Sequence, residues 1–303
     1  MKKRIFLLVF LTALLFGCTS KKNEVDSEFP SKLVNFVPLK TDAVFAGTGE
    51  STWDKMIRER GFVLKEGNEW RLWYTGYNTD SVDTHFLGLA TSQDGINWKR
   101  YPGNPIYKDS WIEDMIVVNH NNKYYIFAEG RDDIMHWFTS QDGINWNNEG
   151  AVKIYTTKGV AIEGSSGTPT IWIEDDVWYL YYEKRDRGIW LAKSKDLKEW
   201  KNISDNPVIT TGPDAYDKYA IAMDHIIKYN GRYYGYYHAS AKKDWSEWTT
   251  DVAMSEDLIN WKKYPGNPVI GVNKSSPVLV EYGSKYLLYT MHPDVRVFIS
   301  TEE

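Results

Sequence analysis

One cysteine stands in the 303 residues, at position 18. A folded domain with no other thiol has no disulfide framework and no thiolate metal site. Clusters of Lys and Arg are scarce: beyond Lys2, Lys3 and Arg4 no basic run appears, and the formal net charge is -5. That leaves no electrostatic footprint for a nucleic-acid backbone. Long apolar runs are also lacking. The longest, Ile5 to Phe16, is too short for a comfortable membrane span, and the chain shows almost no helical periodicity. Aromatic residues are abundant instead, with 14 Trp and 21 Tyr, and hydrophobic residues make up 42% of the chain, enough for a sizeable core. Flat rings in such number suit both sheet packing and stacking on sugars.

The first residues, MKKRIFLLVFLTALLFGC, pass from a positive segment through the apolar run to small residues around the cysteine, which is the pattern of an export signal. The ending LLFGCTS resembles a bacterial lipobox. That resemblance implies removal of residues 1–17 and lipidation of Cys18, an ordinary signal peptide or short anchor being the alternative. Residues 18–31 then read as a polar tether. The expected location is the bacterial cell envelope, periplasmic or cell-surface, with the lipid as the sole link to the membrane.

One string recurs at intervals. TSQDGINWKRYPGNPIY (91–107), TSQDGINWNNEGAVKIY (139–155), SKDLKEWKNISDNPVI (194–209) and SEDLINWKKYPGNPVI (255–270) share Ser-x-Asp, then Gly or Leu, then a Trp at 98, 146, 200 or 261. Ahead of each turn, and once more near the C-terminus, lies a strand–turn–strand pattern: GFVLKEGNEWRLWYT (61–75), DMIVVNHNNKYYIFAE (114–129), PTIWIEDDVWYLYYE (169–183), DHIIKYNGRYYGYYH (224–238) and PVLVEYGSKYLLYTM (277–291). A third strand follows each. Five units of about fifty residues, three or four strands each, predict an all-β, five-bladed β-propeller over residues 32–303 rather than a solenoid or a sandwich. The fifth unit stops at its third strand, so its outer strand is expected from around Leu33–Phe45. In this reading the repeated residues are scaffold: Asp94 and Asp142 shape the turn, and the Trp packs between blades.

In such a fold the start of each inner strand and the end of the strand after it reach the same face. The inner-strand starts are Glu59–Arg60, Glu113–Asp114, Gly167–Thr168, Met223–Asp224 and Ser275–Ser276; the second-strand ends are Thr75, Glu129, Glu183, His238 and Met291, with His292 next. These positions differ from unit to unit and many are ionisable, which points to a site. Crowded carboxylates shift one another's pKa values, leaving one protonated beside one ionised, and such a pair is what glycoside hydrolysis requires. The alternative for each carboxylate is a structural ion pair with Arg60, Arg131 or Arg185.

Over residues 32–303 this pattern resembles the five-bladed glycosidases of glycoside hydrolase family 43 and its relatives in families 32, 117 and 130. The resemblance implies a base from the first blade, a pKa-tuning Asp from the second and a Glu acid from the third. WIEDMIVV (111–118) matches the second-blade position and makes Asp114 the tuning residue; it is also similar to the E-D-P-R string of family 130, with Met115 in place of Pro. The third blade departs from the E-G-P string of family 43: IEGSSGTPTIW (162–172) has Thr168 before Pro169, with Glu163 several residues earlier. Glu163 is therefore the proposed acid and Glu183 its rival. No Asp starts the first inner strand, so Asp54 and Glu59 are both candidate bases, and Asp224 is a further catalytic candidate.

For substrate binding, Trp53 and Trp111 are expected to stack on sugar faces. Glu129, His225, His238 and His292 are expected to bond hydroxyls, the histidines having a channel metal ion such as calcium as their alternative ligand. Arg60, Arg131 and Arg185 either recognise an anionic sugar or phosphate or neutralise the carboxylates. No cofactor is required. The expected function is a monomeric, exported glycoside hydrolase acting on an oligo- or polysaccharide. A family-130-like phosphorylase and a non-catalytic glycan-binding propeller are the alternatives.

Overall fold

The computed structural model describes residues 28–80 and 82–302, so Cys18, the export signal and most of the tether lie outside the described residues. Five sheets form the five blades of a propeller. Their inner strands are Phe62–Glu66, Glu113–His120, Gly167–Glu174, Ala220–Tyr229 and Val278–Tyr282. Each is neighbour to the next around the ring, and the last returns to the first. In every blade the inner strand pairs antiparallel with a second strand, at Glu69–Asn78, Lys123–Glu129, Val177–Glu183, Arg232–Ser240 and Lys285–Met291.

The second strands carry the core. A middle strand lies inside its own sheet and has a neighbouring blade on each face, so both of its faces must be apolar and simple alternation disappears. Of the ten Trp and Tyr side chains that are almost wholly inaccessible among the described residues, nine lie on these strands: Trp70, Trp73, Tyr74, Tyr181, Tyr182, Tyr234, Tyr236, Tyr237 and Tyr289. This placement accounts for the aromatic enrichment of the sequence.

Blade 5 closes as expected from the sequence. Phe36–Pro38 pairs antiparallel with Val295–Ser300, the third strand of that blade, in the register Phe36↔Ser300. Flanking backbone bonds from Leu39 N–H to the Val297 carbonyl and from Thr301 N–H to the Asn35 carbonyl extend the seam. The N-terminal segment thus covers an edge strand that would otherwise offer unpaired N–H and C=O groups.

The repeated turn is a clamp between blades. In each of its four copies the Ser hydroxyl and Asp carboxylate bond one another, and the Asp accepts two backbone N–H groups of the turn. The residue after Asp is left-handed every time, with φ of 74° at Gly95 and Gly143, 64° at Leu197 and 67° at Leu258. Its carbonyl is a docking point for the preceding blade: Tyr289 Oη donates to Gly95, Trp73 Nε1 to Gly143 and Tyr181 Oη to Leu258. Blade 2 has Phe127 at the corresponding position. Phenylalanine cannot donate, and its ring packs edge-on against Trp200 at 5.7 Å instead.

Candidate active site at the channel mouth

Four of the five residues that begin the inner strands adopt left-handed backbone: Arg60 (φ 56°), Asp114 (47°), Thr168 (52°) and Ser276 (58°). The fifth, Asp224, occupies a bulge between Met223 and His225, and similar register shifts occur at Asp114 and Thr168. Non-glycine residues rarely take this conformation, least of all β-branched Thr, and such positions concentrate at functional sites. Bulges also re-aim side chains next to active sites. Here Arg60, Asp114, Thr168 and Ser276 all line one cavity of about 210 Å³ at the channel mouth.

The same cavity is lined by Glu59, Glu129, Glu183, His238 and His292, so the structure gathers seven of the sequence-derived site residues. Glu129 and Glu183 face each other across Gly167. A β-carbon on that glycine would sit 2.1 Å from Glu129 Oε2 and 2.9 Å from Glu183 Oε1, so only a residue without a side chain fits between the two carboxyl groups. Burial raises Glu129, and Glu183 and Glu113 nearby raise it further, to about 8. Burial, helped by Asp186, pushes Glu183 up to about 7, although the Asp186 N–H bonded to its carboxylate and the nearby His238 act in the opposite sense. Asp114 is held well above the ordinary carboxylate range by burial and by Glu59, Glu129 and Glu113, and its Oδ1 has no hydrogen-bond partner.

Glu59 is the opposite case. Burial raises it, but His292, with Nδ1 at 3.7 Å, and the Arg58 guanidinium at 3.3 Å bring it down to about 2. One cavity therefore holds carboxyl groups kept protonated near neutral pH and one kept ionised, which is the arrangement that separates an acid from a base.

Several expected residues have other positions. Asp224 lies behind the wall, buried, with Arg60 Nη1 at 2.5 Å and His238 Nδ1 at 2.9 Å, and it holds those two side chains rather than facing the cavity. Arg60 also donates to the carbonyls of Met223 and Pro169, so this buried guanidinium ties blades 1, 3 and 4 together and neutralises Asp224 instead of meeting substrate as an exposed anchor. Glu163 is exposed; its loop reaches the site through Ser165, not through Glu163. Asp54 is engaged by Arg100, Tyr74 and Thr52 inside blade 1.

His225 faces a different cavity, of about 430 Å³, near the hairpin ends of the inner strands. Its Nδ1 accepts the Leu279 N–H, and burial lowers it to about 4, so it is neutral and remote from the carboxylates. Trp53 stacks on Tyr74 and covers Gly76 and Gly88, where any β-carbon would strike its ring. It is packing, not a sugar platform. Trp111 stacks on His85 at 3.6 Å under the exposed Arg131, and lines neither cavity around the carboxylates. Among the described residues no group of three His, Asp or Glu side chains is arranged to hold a metal ion.

No protein-family model matches the chain. The beta-1,2-mannobiose phosphorylase of Thermoanaerobacter sp. (strain X514) is 27% identical over 108 residues, a match spanning 30% of this chain and 36% of that protein. Solved structures align over far more. A glycosyl hydrolase from Bacteroides ovatus superposes with a TM-score of 0.67 at 15% identity, over 88% of this chain and 92% of that one. A thermostable family-43 glycoside hydrolase gives 0.57 at 18%, over 88% and 91%. The beta-1,2-mannobiose phosphorylase of Listeria innocua gives 0.63 at 13%, over 88% and 96%. The fold is that of five-bladed glycoside hydrolases and phosphorylases.

A second cavity, of about 600 Å³, adjoins the first and shares Glu129, Glu183, Asp186 and Trp245 with it. Sequence reasoning missed Asp186 and Trp245. Asp186 sits in the short turn after the second strand of blade 3, whose KRDRG string contains a carboxylate among cations. Trp245 lies in the 241–247 connection of blade 4, whose polar stretch with a solitary Trp was the available signal. Arg58, which also lines the first cavity, bonds Glu113 at 3.0 Å and joins His292 in holding Glu59 ionised, was missed as well.

Proposed function

We propose that this chain cleaves glycosidic bonds in an oligo- or polysaccharide by hydrolysis, with Glu183 as general acid and Glu59 as the ionised partner. The observation that carries this reading is the opposed pair of environments in one cavity: Glu183 is raised to about 7 and Glu59 is lowered to about 2. An acid poised near the working pH donates most effectively. In this mechanism Glu183 protonates the departing glycosidic oxygen as its bond to the anomeric carbon breaks. Glu59 takes the proton of the incoming water, or stabilises the positive charge developing on the sugar ring. Asp114, which lines the cavity and is raised by burial and by its neighbouring carboxyl groups, keeps the local charge low together with Glu129. Consistent with export, the N-terminus supports attachment at a bacterial envelope through a lipid on Cys18.

The test is turnover of a glycan panel in phosphate-free buffer. Glu183→Gln and Asp114→Asn are expected to lower kcat by about 10²–10⁴-fold. Glu183→Gln should lose far less on aryl glycosides, whose leaving groups need little protonation, whereas Glu59→Gln should lose activity on both substrate types. Full turnover in Glu183→Gln and Asp114→Asn would remove the assignment.

A second reading, phosphorolysis, is favoured by the similarity to the Thermoanaerobacter mannobiose phosphorylase. Strict dependence of turnover on added phosphate would select it. Binding without turnover across the panel would leave a glycan-binding propeller.

A further inference from the structure

The outer cavity has a chemistry different from that of the carboxylate cavity it adjoins. Arg185, Arg187 and Lys243 line the outer cavity only. Among the described residues none of the three has a carboxylate within ion-pair distance or a side-chain hydrogen bond. Arg58, Arg60, Arg71, Arg100 and Arg296, by contrast, are each bonded to a carboxylate. A chain with a net charge of -5 has acids enough to pair its arginines. Three free cations on one wall are therefore a property of that wall, where the acidic residue confined to the outer cavity is Asp133.

Trp245 joins the two cavities. Its side chain is 48% exposed, and its backbone is left-handed at φ 56°, an unfavourable state for a bulky residue. An exposed indole held in this way beside cations has the form of a platform for a sugar ring. Arg185 and Arg187 flank Asp186, whose own N–H holds the Glu183 carboxylate, so the cationic wall is covalently continuous with the acid.

We infer that the outer cavity binds an acidic sugar residue, its carboxylate or sulfate oxyanion held by Arg185, Arg187 and Lys243 and its ring stacked on Trp245, while the adjoining linkage lies over Glu183. The inference rests on the glycoside-cleaving reading for the position of the bond, and stands on the cations and the indole for the class of sugar. Guanidinium groups suit planar carboxylates and tetrahedral sulfates alike.

The experiment is calorimetric binding to the full chain of uronate-bearing oligosaccharides, their carboxyl-reduced counterparts and sulfated oligosaccharides, with inorganic phosphate as a separate arm. At least one acidic probe is expected to bind about tenfold or more tightly than its neutral counterpart, with the preference shrinking as salt rises. Replacing Arg185, Arg187 and Lys243 together by Ala should abolish that preference and leave binding of neutral probes unchanged; Trp245→Ala should weaken acidic and neutral probes together. Uronate and sulfate arms identify which oxyanion is preferred. Equal binding of every acidic probe and its neutral counterpart overturns the inference, as does a preference that survives the triple variant. Binding of phosphate alone, lost in the triple variant, also overturns it and assigns the cations to phosphate. Glu183-dependent turnover of neutral glycans with no acidic preference removes this inference and keeps the proposed function; acidic preference without any turnover does the reverse.

Discussion

Thr168 combines a β-branched side chain with a left-handed backbone at the place where the resemblance to family 43 led one to expect a catalytic Glu. In the proposed mechanism the acid function moves along the sheet instead. Glu183 is the register partner of Gly167, one residue before Thr168, so the end of the second strand presents its carboxyl group where the start of the inner strand has none to offer. Glu163, exposed and outside the cavity, is expected to tolerate Gln with turnover unchanged, measured beside Glu183→Gln under the same conditions.

The raised values have consequences for pH. Turnover should be greatest while Glu183 is protonated and should fall as pH rises through about 7, with Glu59 remaining ionised down to about 2; the kcat/KM profile checks this. Stability follows the same groups. A carboxyl group whose folded value lies above its ordinary 4.5 favours folding while protonated, and loses that advantage as pH climbs through the folded value, about 8 for Glu129. Glu129→Gln mimics the protonated form. It is expected to raise Tm by a few degrees at pH 8.5 and by almost nothing at pH 4, while turnover falls, which thermal melts at the two pH values and rate assays would show.

At the scale of strands and turns, the Ser-x-Asp clamps give measurable expectations. Trp73→Phe removes the bond to the Gly143 carbonyl while keeping most of the ring, and should cost about 1 kcal/mol, or roughly 2–4 °C in Tm. Gly95→Ala should cost more, because its backbone is left-handed and a β-carbon would meet the Tyr289 hydroxyl at 2.5 Å. Leu197→Gly, at the equivalent left-handed position, should be tolerated far better. The repeat was fully legible because turn chemistry is local: a Ser hydroxyl, an Asp carboxylate and a few backbone N–H groups lie within seven residues. Which aromatic docks on the turn was not legible, since Tyr289 and Gly95 are joined only when the ring closes.

At the scale of the whole molecule, closure between the two ends of the chain is the feature most exposed to test. Removing residues before 46 deletes Phe36–Pro38 and bares the edge of Val295–Ser300. We expect aggregation or a lowered Tm on size-exclusion chromatography and thermal unfolding, whereas removing residues 1–27 should leave the blades paired. The open outer strand of the fifth unit was visible as a shortfall in the repeat count, and the N-terminal segment was the stretch left to fill it.

Strand periodicity, five hairpins and the turn string were enough to establish the propeller and to say that inner-strand starts and second-strand ends meet, because pairing partners within a blade are close in sequence. Asp114, Glu59, Glu129, Glu183, His238 and His292 were found on that basis. Charge state, accessibility and partner were decided by tertiary packing. Asp224 and Asp114 occupy equivalent starts, yet one is sealed behind Arg60 and His238 and the other lines the cavity, with a buried oxygen that has no hydrogen-bond partner. Trp53 and Trp245 are both loop tryptophans, one covering two glycines and the other 48% exposed. Such differences arise from contacts between blades tens to hundreds of residues apart, and desolvation and Coulomb interactions depend on that three-dimensional neighbourhood rather than on neighbours in the chain.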